Sequence, residues 1–353
     1  MNNLSMSDAV STKRHRELNT NTKGVQYGEI FNGLVADFNR KLSDIEKRLR
    51  GSSPDKHALF VETMHAFLDI KSACENYELV YGYDKSIIKN AQIAFREETQ
   101  EHFTKSYLMN RTRTWPEGYP GDYKTLETTY GNAPMSDGIG EFIDRYFLQT
   151  TLAMAVRERL NTLCELLIEE LQQRKDPTVL NVACGSCREI FDIASAFMKS
   201  NAKVTCLDHD SEALKYSEDR LKYLSLPENM ITYRRYNAFR MVNHDRNVNE
   251  FGYQDIIYST GFYDYVEDKD LIRMLNAAYK LLNPGGTLIA SFKDCERYST
   301  VDYHWLVKWN AFYQRTLTDM DNLLRQTMIP DITITKKRDK SGVIVFYLIQ
   351  KPA

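Results

Sequence analysis

One short stretch, VLNVACGSCREI at residues 179–190, contains residue types that suit two different chemistries. Gly185 lies between a β-branched apolar run and a helical pattern. A glycine at such a turn lets backbone N–H groups approach a ligand closely, because it has no Cβ. Cys184 and Cys187 form a C-x-x-C pair, a pattern of zinc and redox sites. The neighbouring elements decide between a ligand-binding loop and a cysteine site.

The C-x-x-C pair lacks the partners that a metal or redox site requires. A structural zinc site takes a full tetrahedral set of ligands. The sequence has no second C-x-x-C and no pair of histidines at a suitable spacing. A redox pair requires a thioredoxin-like frame, which the sequence does not offer. We therefore predict no metal site, and we interpret Cys184 and Cys187 as small side chains that fit a crowded turn.

Composition and charge narrow the class of protein. The chain has 353 residues, of which 42% are hydrophobic and 27% charged, and its formal net charge is −2. These values predict a globular protein with two domains and no nucleic-acid partner. No apolar run reaches membrane-spanning length and the N-terminus lacks the apolar core of a signal peptide, so we predict a cytoplasmic protein without a membrane span. The six scattered cysteines favour reduced thiols.

The pattern of side chains divides the chain into three regions. Residues 1–24 are polar and aperiodic, which predicts a disordered tail. Residues 25–138 have apolar side chains at helical spacing and then a loop rich in Tyr, Gly and Pro, which predicts a helical N-terminal cap domain with a lid. Residues 139–353 begin with one long helix, predicted over 139–173, and continue as a second domain.

Short apolar strands alternate with helices from residue 178 onward, which predicts a parallel α/β sheet. The last segment reads as two strands joined by a polar turn at 339–342, an antiparallel hairpin. The predicted fold is therefore a Rossmann-like seven-stranded sheet with a C-terminal antiparallel hairpin, plus the helical N-terminal domain. The predicted strands before the hairpin are residues 178–183, 203–208, 231–236, 253–260 and 286–292.

This arrangement of strands resembles that of class I S-adenosylmethionine-dependent methyltransferases. In the loop, Ala183, Gly185 and Arg188 occupy the three positions where a dinucleotide-binding loop has glycine. The third glycine is missing where helix and strand would pack around a pyrophosphate. S-adenosylmethionine has no phosphate and a smaller footprint, so the loop favours it as the cofactor. A nicotinamide-dependent oxidoreductase is the weaker alternative.

Polar side chains follow successive strands at the edge where open α/β sheets bind ligands. Asp208 ends the second strand, 23 residues after Gly185, where a carboxylate can accept hydrogen bonds from both ribose hydroxyls. Asn237 follows the third strand, where its amide can pair with adenine. The predicted cofactor-binding residues are Tyr119, Asp122, Ala183, Cys184, Gly185, Ser186, Asp208, His209, Asn237, Ala238, Ser259 and Thr260.

Four segments resemble bacterial methyltransferases related to the enzyme that makes 3-hydroxypalmitic acid methyl ester. They are NVACGSCREI, YSTGFYDYVED, LLNPGGTLIASF and GYPGDYKTLE, and the resemblance extends from Trp115 to the end of the sequence. In those proteins the loop commonly reads C-G-P-A-R-E and the upstream motif G-Y-A-G-D. This chain differs at Ser186, Cys187 and Pro120. The resemblance implies an S-adenosylmethionine-dependent methyltransferase.

The segment after the fourth strand, DIIYSTGFYDYV, indicates a small-molecule acceptor. It has neither the D-P-P-Y-like segment of enzymes that methylate base amines nor the Pro-Cys nucleophile of cytosine-C5 enzymes. A carboxylate acceptor needs no general base, because it is ionised near neutral pH. Carboxyl O-methylation is therefore the leading prediction. An amine or hydroxyl acceptor would use a base, for which His304 is the candidate, and Tyr263 is the second candidate catalytic residue.

Aromatic residues after the fifth strand predict a wall of the acceptor pocket. Trp305, Trp309 and Tyr313 fall in one stripe at helical spacing, and Arg315 can bind a carboxylate through two hydrogen bonds. The predicted substrate-binding residues are Tyr123, Tyr263, Trp305, Trp309, Tyr313 and Arg315. A non-catalytic adenosyl-binding protein that recognises a partner through its helical domain is the alternative from another class. A homodimer is compatible with the sequence, which does not define the oligomeric state.

The motif GYPGDYKTLE predicts a lid. Pro120 fixes one φ and Gly121 is free to take a positive one, so a tight turn is expected here. The turn would present Tyr119, Asp122 and Tyr123 together, which suits a cationic sulfonium. We expect this loop to fold over the carboxyl edge of the sheet and exclude water from the site.

Overall fold

The computed structural model describes residues 6–353, and of residues 6–27 and Ile332 it describes the backbone alone. The described chain forms two compact units whose segments alternate along the sequence. The helical unit comprises the residues up to 114 together with 134–147 and 300–309, and the sheet unit comprises 115–133, 148–299 and 310–353. The sequence predicted one domain boundary at residue 138, whereas the observed chain passes between the two units several times. The predicted lid loop belongs to the sheet unit.

The helical unit packs around aromatic side chains. Trp305 is wholly buried and contacts the rings of Phe31, Tyr77 and Phe95, and its indole N–H donates to Glu78 Oε1 at 2.7 Å. None of the described helices is both long and apolar enough to cross a membrane. The helices are α1 (Met6–Leu49), α2 (Lys56–Tyr81), α3 (Lys85–Glu98), α4 (Gln100–Phe103), α5 (Tyr107–Thr114), the later helix α7 (Gly138–Leu148) and a π-helical turn, Asp302–Leu306.

The predicted tail falls partly on α1. Residues 1–5 lie outside the described residues, and α1 begins at Met6, so the helix includes the rest of the stretch predicted to be disordered.

The sheet unit contains a seven-stranded sheet in the order β3-β2-β1-β4-β5-β7-β6. The first five strands are parallel, and β7 is antiparallel to both of its neighbours. This confirms the predicted fold class. The strands are β1 (Thr178–Val182), β2 (Lys203–Asp208), β3 (Ile231–Arg235), β4 (Gln254–Thr260), β5 (Leu282–Lys293), β6 (Ile334–Arg338) and β7 (Ile344–Gln350).

Helices cover the sheet and connect its parallel strands, as crossover connections require. Nearly all side chains of β1, β4 and β7, and those of β5 from Thr287 onward, are buried, which accounts for the nearly continuous apolar runs of these inner strands. The helices are α6 (Tyr123–Gly131), α8 (Thr151–Gln172), α9 (Arg188–Asp192), α10 (Ala194–Ser200), α11 (Ser211–Lys222), α12 (His244–Phe251), α13 (Asp268–Leu281) and α14 (Leu317–Arg325).

Two predicted helical features differ in the structure. The single helix predicted over 139–173 is wrong: α7 ends at Leu148 and α8 begins at Thr151, because Thr150 between them has an extended backbone. The helical stripe predicted for Trp305, Trp309 and Tyr313 is also wrong. The π-helical turn ends at Leu306, where Val307 is extended, and residues 307–316 form no helix.

Candidate functional site

The loop after β1 has the geometry of a ligand cradle. Ala183, Gly185 and Cys187 have positive φ angles of 56°, 53° and 48°, so this tight loop uses the left-handed region at alternate positions. That region is costly for residues with a Cβ. A Cβ added to Gly185 would meet no heavy atom within 4 Å, so open space lies directly beside this residue. A ligand can therefore approach the Gly185 backbone closely.

Asp208 holds this loop from the end of β2. Its Oδ2 accepts the Gly185 N–H at 2.8 Å and its Oδ1 accepts the Asp210 N–H at 3.0 Å. A carboxylate has about four acceptor positions, so both oxygens can accept further hydrogen bonds. The Asp208 carboxylate beside His209 Nδ1, at 3.3 Å, raises the pKa of the histidine. Open space beside Gly185 and a buried carboxylate with remaining acceptor capacity fit the adenosyl and ribose parts of S-adenosylmethionine.

The other predicted strand-end residues lie at the same edge. Asn181 of β1 pairs with Tyr258 of β4, so the residues after β1 run beside the end of β4. Ser259 is wholly buried and donates to the Val182 carbonyl at 2.8 Å, which gives it a structural role. Asn237 Oδ1 caps the short helix Ala238–Val242 by accepting the Phe239 N–H at 3.0 Å. This bond leaves the amide nitrogen of Asn237 for an adenine contact.

Glu127 was not predicted, yet it joins α6 to the loop after β1. Its carboxylate accepts hydrogen bonds from Ser186 Oγ at 2.6 Å, Arg220 at 2.8 Å and Arg188 at 3.3 Å. Arg220 also donates to the Ser186 carbonyl. Glu127 is the last residue of the GYPGDYKTLE segment, so the motif itself was the available signal. The upstream motif and the loop are therefore parts of one hydrogen-bonded site.

The predicted lid loop lies at the end of β2. Tyr119 donates its hydroxyl hydrogen to Asp210 Oδ2 at 2.8 Å, and its ring packs edge-on against His209 at 4.8 Å. Asp122 is buried and caps α6 by accepting the N–H groups of the next turn. Tyr123 is buried against Tyr216. Of the predicted trio, Tyr119 is the one that reaches the strand end, through its bond to Asp210.

We expect Tyr119→Phe to lower turnover at least tenfold, because it removes the hydroxyl bond to Asp210 that closes the loop over the β2 end. A tenfold loss corresponds to about 1.4 kcal/mol in the barrier. The measurement is kcat with saturating S-adenosylmethionine, beside the melting temperature of the unliganded chain. Tyr223→Phe, at a highly exposed ring, is the matched control. Unchanged turnover of Tyr119→Phe, with or without a fall in melting temperature, would contradict the lid.

Two of the predicted acceptor residues in the sheet unit have other partners. Tyr263 is buried and packs parallel to Phe292, and burial raises the pKa of its phenol, which disfavours a role as base. Arg315 is bound to Asp268 Oδ1 at 2.7 and 3.0 Å and to the Val266 carbonyl at 2.5 Å. The guanidinium of Arg315 therefore already forms its hydrogen bonds with groups of the protein. Tyr313 is half exposed.

The remaining predicted acceptor residues lie in the helical unit. They are His304, Trp305 and Trp309. Trp305 is wholly buried, packs against Phe31, Tyr77 and Phe95 and is bound to Glu78, so it forms core rather than a pocket wall. Burial lowers the pKa of His304, and its carbonyl accepts a hydrogen bond from Arg96 at 2.5 Å.

Two buried cations that were not predicted lie at the carboxyl ends of β4 and β5. Lys293 ends β5 and forms an ion pair of 2.5 Å with Asp264, and burial lowers the pKa of the lysine. Arg159 of α8 lies against Gly261, the first residue after β4: a Cβ on that glycine would be 2.5 Å from Arg159 Nη1. Sequence reasoning missed Arg159 because one arginine within a long helical pattern gives no signal of its own.

Arg159 differs from Lys293 because it has no anionic partner among the residues that the structure describes. It is 5% exposed, and its guanidinium makes a single long hydrogen bond, to Tyr130 Oη at 3.5 Å. Within the described part of the chain, no carboxylate forms an ion pair with it. A buried guanidinium of this kind favours an anionic ligand, because unpaired buried charge is costly.

Comparison with known proteins supports a methyl-transfer site. The family described as "Methyltransferase domain" matches residues 180–288. The search of curated proteins gave no match. Among solved structures, a possible exported protein from Bordetella parapertussis is 17% identical, with a TM-score of 0.53, over 93% of this chain and 97% of that one. This likeness shows the shared fold.

Two further solved structures cover a smaller share of this chain. Magnesium protoporphyrin IX methyltransferase from Synechocystis PCC 6803, with bound S-adenosylhomocysteine, is 13% identical over 65% of this chain and 94% of that one, with a TM-score of 0.44. An S-adenosylmethionine-dependent methyltransferase from Clostridium acetobutylicum ATCC 824 is 13% identical over 56% and 92%, with a TM-score of 0.38.

Proposed function

We propose that the acceptor of this chain, which is an S-adenosylmethionine-dependent methyltransferase, is the carboxylate of a small organic molecule. The observation that carries the proposal is Arg159, a buried guanidinium without an anionic partner among the described residues. It lies beside Gly261 at the end of β4, and β4 is the parallel neighbour of β1. The order of the strands changes direction between β1 and β4, and such switch points form the ligand crevice of open α/β sheets.

A carboxylate suits this position for electrostatic reasons. A guanidinium can bind a carboxylate through two parallel hydrogen bonds and fix its orientation. In a buried place the pair is stronger than in water, because screening is weak. Lys293 is neutralised by Asp264, so of these two buried cations Arg159 is the one that remains for a ligand. Arg159 takes the role that the sequence predicted for Arg315, whose guanidinium is bound to Asp268.

The residues of the sheet unit support a mechanism that needs no general base. S-adenosylmethionine supplies an electrophilic methyl group on a positively charged sulfur. Arg159 would orient an acceptor that is already ionised near neutral pH, and the Tyr119 loop would exclude water. Tyr263, the candidate base in this unit, is buried with a raised phenol pKa. This arrangement suits a carboxylate better than an amine or hydroxyl, which must lose a proton.

The direct test is the chemistry of the methylated product. The full chain is incubated with methyl-labelled S-adenosylmethionine and a panel of aliphatic acids that includes 3-hydroxypalmitic acid, the acid that the sequence resemblance suggests. A carboxyl methyl ester releases labelled methanol on mild alkaline treatment, whereas N-methyl and ether products do not. We expect the label to be released by alkali. Alkali-stable label with matched amines or alcohols, or no label with any acid, would contradict the proposal.

The role of Arg159 can be tested separately. We expect Arg159→Met to raise the KM for the acid at least tenfold, in line with the loss of hydrogen bonds to a charged group, which are worth about 1.5–3 kcal/mol. The affinity for S-adenosylhomocysteine should change by less than about threefold, which is below 1 kcal/mol. Arg174→Met is the matched control, because this arginine follows the C-terminal end of α8 and pairs with Glu170. If Arg159→Met instead weakens S-adenosylhomocysteine, the arginine binds the carboxylate of the cofactor and the argument for the acceptor fails.

A further inference from the structure

Three cysteines meet beside the cofactor loop. The Sγ atoms of Cys184, Cys187 and Cys206 lie within 4.8 Å of one another, and all three side chains are buried. Cys184 and Cys187 belong to the loop after β1, and Cys206 is on β2, where it pairs in register with Asn181 of β1. The C-x-x-C pair therefore has a third thiol partner that the spacing along the chain does not reveal.

The separation of the sulfurs suits a single soft cation. A metal bound to three thiolates at about 2.3 Å, in a plane, would hold the sulfurs about 4.0 Å apart. Thiols within 4.8 Å can reach that distance with small side-chain rotations. Thiolates select soft ions, and a zinc site would call for a fourth ligand. The His, Cys, Asp and Glu side chains of the described residues add no fourth member to this group.

The surroundings favour an anionic cluster of sulfurs. The Arg220 guanidinium donates to the carbonyl of Ser186, the residue before Cys187, so a positive charge lies close to this part of the loop. The neighbouring carboxyl of Glu189 accepts hydrogen bonds from Asn181 and Tyr258, each at 2.8 Å. A cation would replace the thiol protons, so its binding is coupled to proton release.

We propose that Cys184, Cys187 and Cys206 form a three-thiolate site for a soft cation of the copper(I) class. Binding forms three sulfur–metal bonds and releases the thiol protons, with no change in oxidation state. Because two of the ligands flank Gly185, a bound cation would tie the cofactor loop to β2. The site is separate from the methyl-transfer proposal, which needs no metal.

The test uses copper(I) itself with the reduced, full-length chain under anaerobic conditions. We expect one equivalent to bind in competition with a chromophoric copper(I) chelator, and X-ray absorption at the copper edge to show three sulfur neighbours. This measurement on the unaltered chain does not depend on the folding of any variant. Failure to compete with the chelator, or a first shell with fewer than three sulfurs, would overturn the proposal.

Substitutions then identify the ligands. We expect Cys206→Ser to weaken copper(I) at least tenfold, whereas Cys295→Ser, at a half-buried thiol outside the cluster, should bind as the unaltered chain does. Affinity for S-adenosylhomocysteine measured on both variants reports whether the loop is intact. Equal copper(I) affinity in Cys206→Ser and Cys295→Ser would remove Cys206 from the site and overturn the three-thiolate assignment.

Discussion

Gly185→Val will abolish measurable binding of S-adenosylhomocysteine while the chain stays folded. Apart from the adjacent residues, no protein atom lies within 4 Å of a Cβ added to Gly185, so the Cβ of a valine meets no clash within the chain. It would instead occupy the space through which the ligand approaches the backbone. We expect the dissociation constant to rise more than about 1,000-fold, or about 4 kcal/mol, by calorimetric titration.

The substitution Gly185→Val also strains the backbone, and this effect on stability must be measured separately from the effect on binding. Gly185 has a φ of 53°, where a β-branched residue is strained by about 1–3 kcal/mol. Gly342 is a matched control: its φ is 75°, it too has open space beside it, and it lies in the β6–β7 turn. Gly342→Val should lower the melting temperature to a similar extent and leave binding unchanged. Retained binding in Gly185→Val would refute the assignment of the cofactor loop.

Asp208→Ala will weaken S-adenosylhomocysteine by about 2–4 kcal/mol, on the scale of two hydrogen bonds to a charged group. This corresponds to a dissociation constant about 30-fold to 1,000-fold higher. The structure also predicts an effect of Asp208→Ala on stability, which the sequence did not predict. Asp208 also accepts the N–H groups of Gly185 and Asp210, so the substitution leaves two backbone donors without their partner. We therefore expect the melting temperature of the unliganded chain to fall as well.

A charge control separates a specific role of Asp208 from the loss of a negative charge. Asp219, on the exposed face of α11, pairs with Lys215, and Asp219→Ala should leave affinity and melting temperature nearly unchanged. Calorimetry on folded protein, verified by circular dichroism, gives the comparison. Affinity in Asp208→Ala equal to that in Asp219→Ala would exclude Asp208 as the ribose ligand.

The sequence predicted those features that depend on local pattern. The strand β2 was predicted with its observed bounds, because a short run of β-branched and apolar residues that ends at Asp208 is a local signal. The turn of GYPGD was predicted from Pro120 and Gly121, and Gly121 does have a positive φ, of 73°. The parallel sheet and its antiparallel hairpin were predicted because strands alternate with helices until the last two strands, which a short polar turn joins.

The features that the sequence did not predict depend on contacts between distant segments. Cys206 joins the C-x-x-C pair because β2 lies beside β1, a fact of register rather than of spacing. Arg159 becomes a candidate for ligand binding because no carboxylate in the described part of the chain pairs with it. The predicted aromatic stripe was wrong because it relied on local spacing alone. Trp305 and Tyr313 share a helical spacing, but the chain becomes extended at Val307 and carries them into different units.

The alternation of the two units along the sequence limits how the protein can be dissected. A fragment that begins at residue 139 would lose the 115–133 segment, which contains Tyr119 and Glu127 of the candidate cofactor site. It would also retain 139–147 and 300–309 without residues up to 114 of the helical unit, so Trp305 would lose Phe31, Tyr77 and Phe95 and expose its indole to water. A domain exchange by recombination at a single crossover would meet the same obstacle. The helical unit is therefore not a removable module, and the two parts are expected to be inherited together as one gene segment.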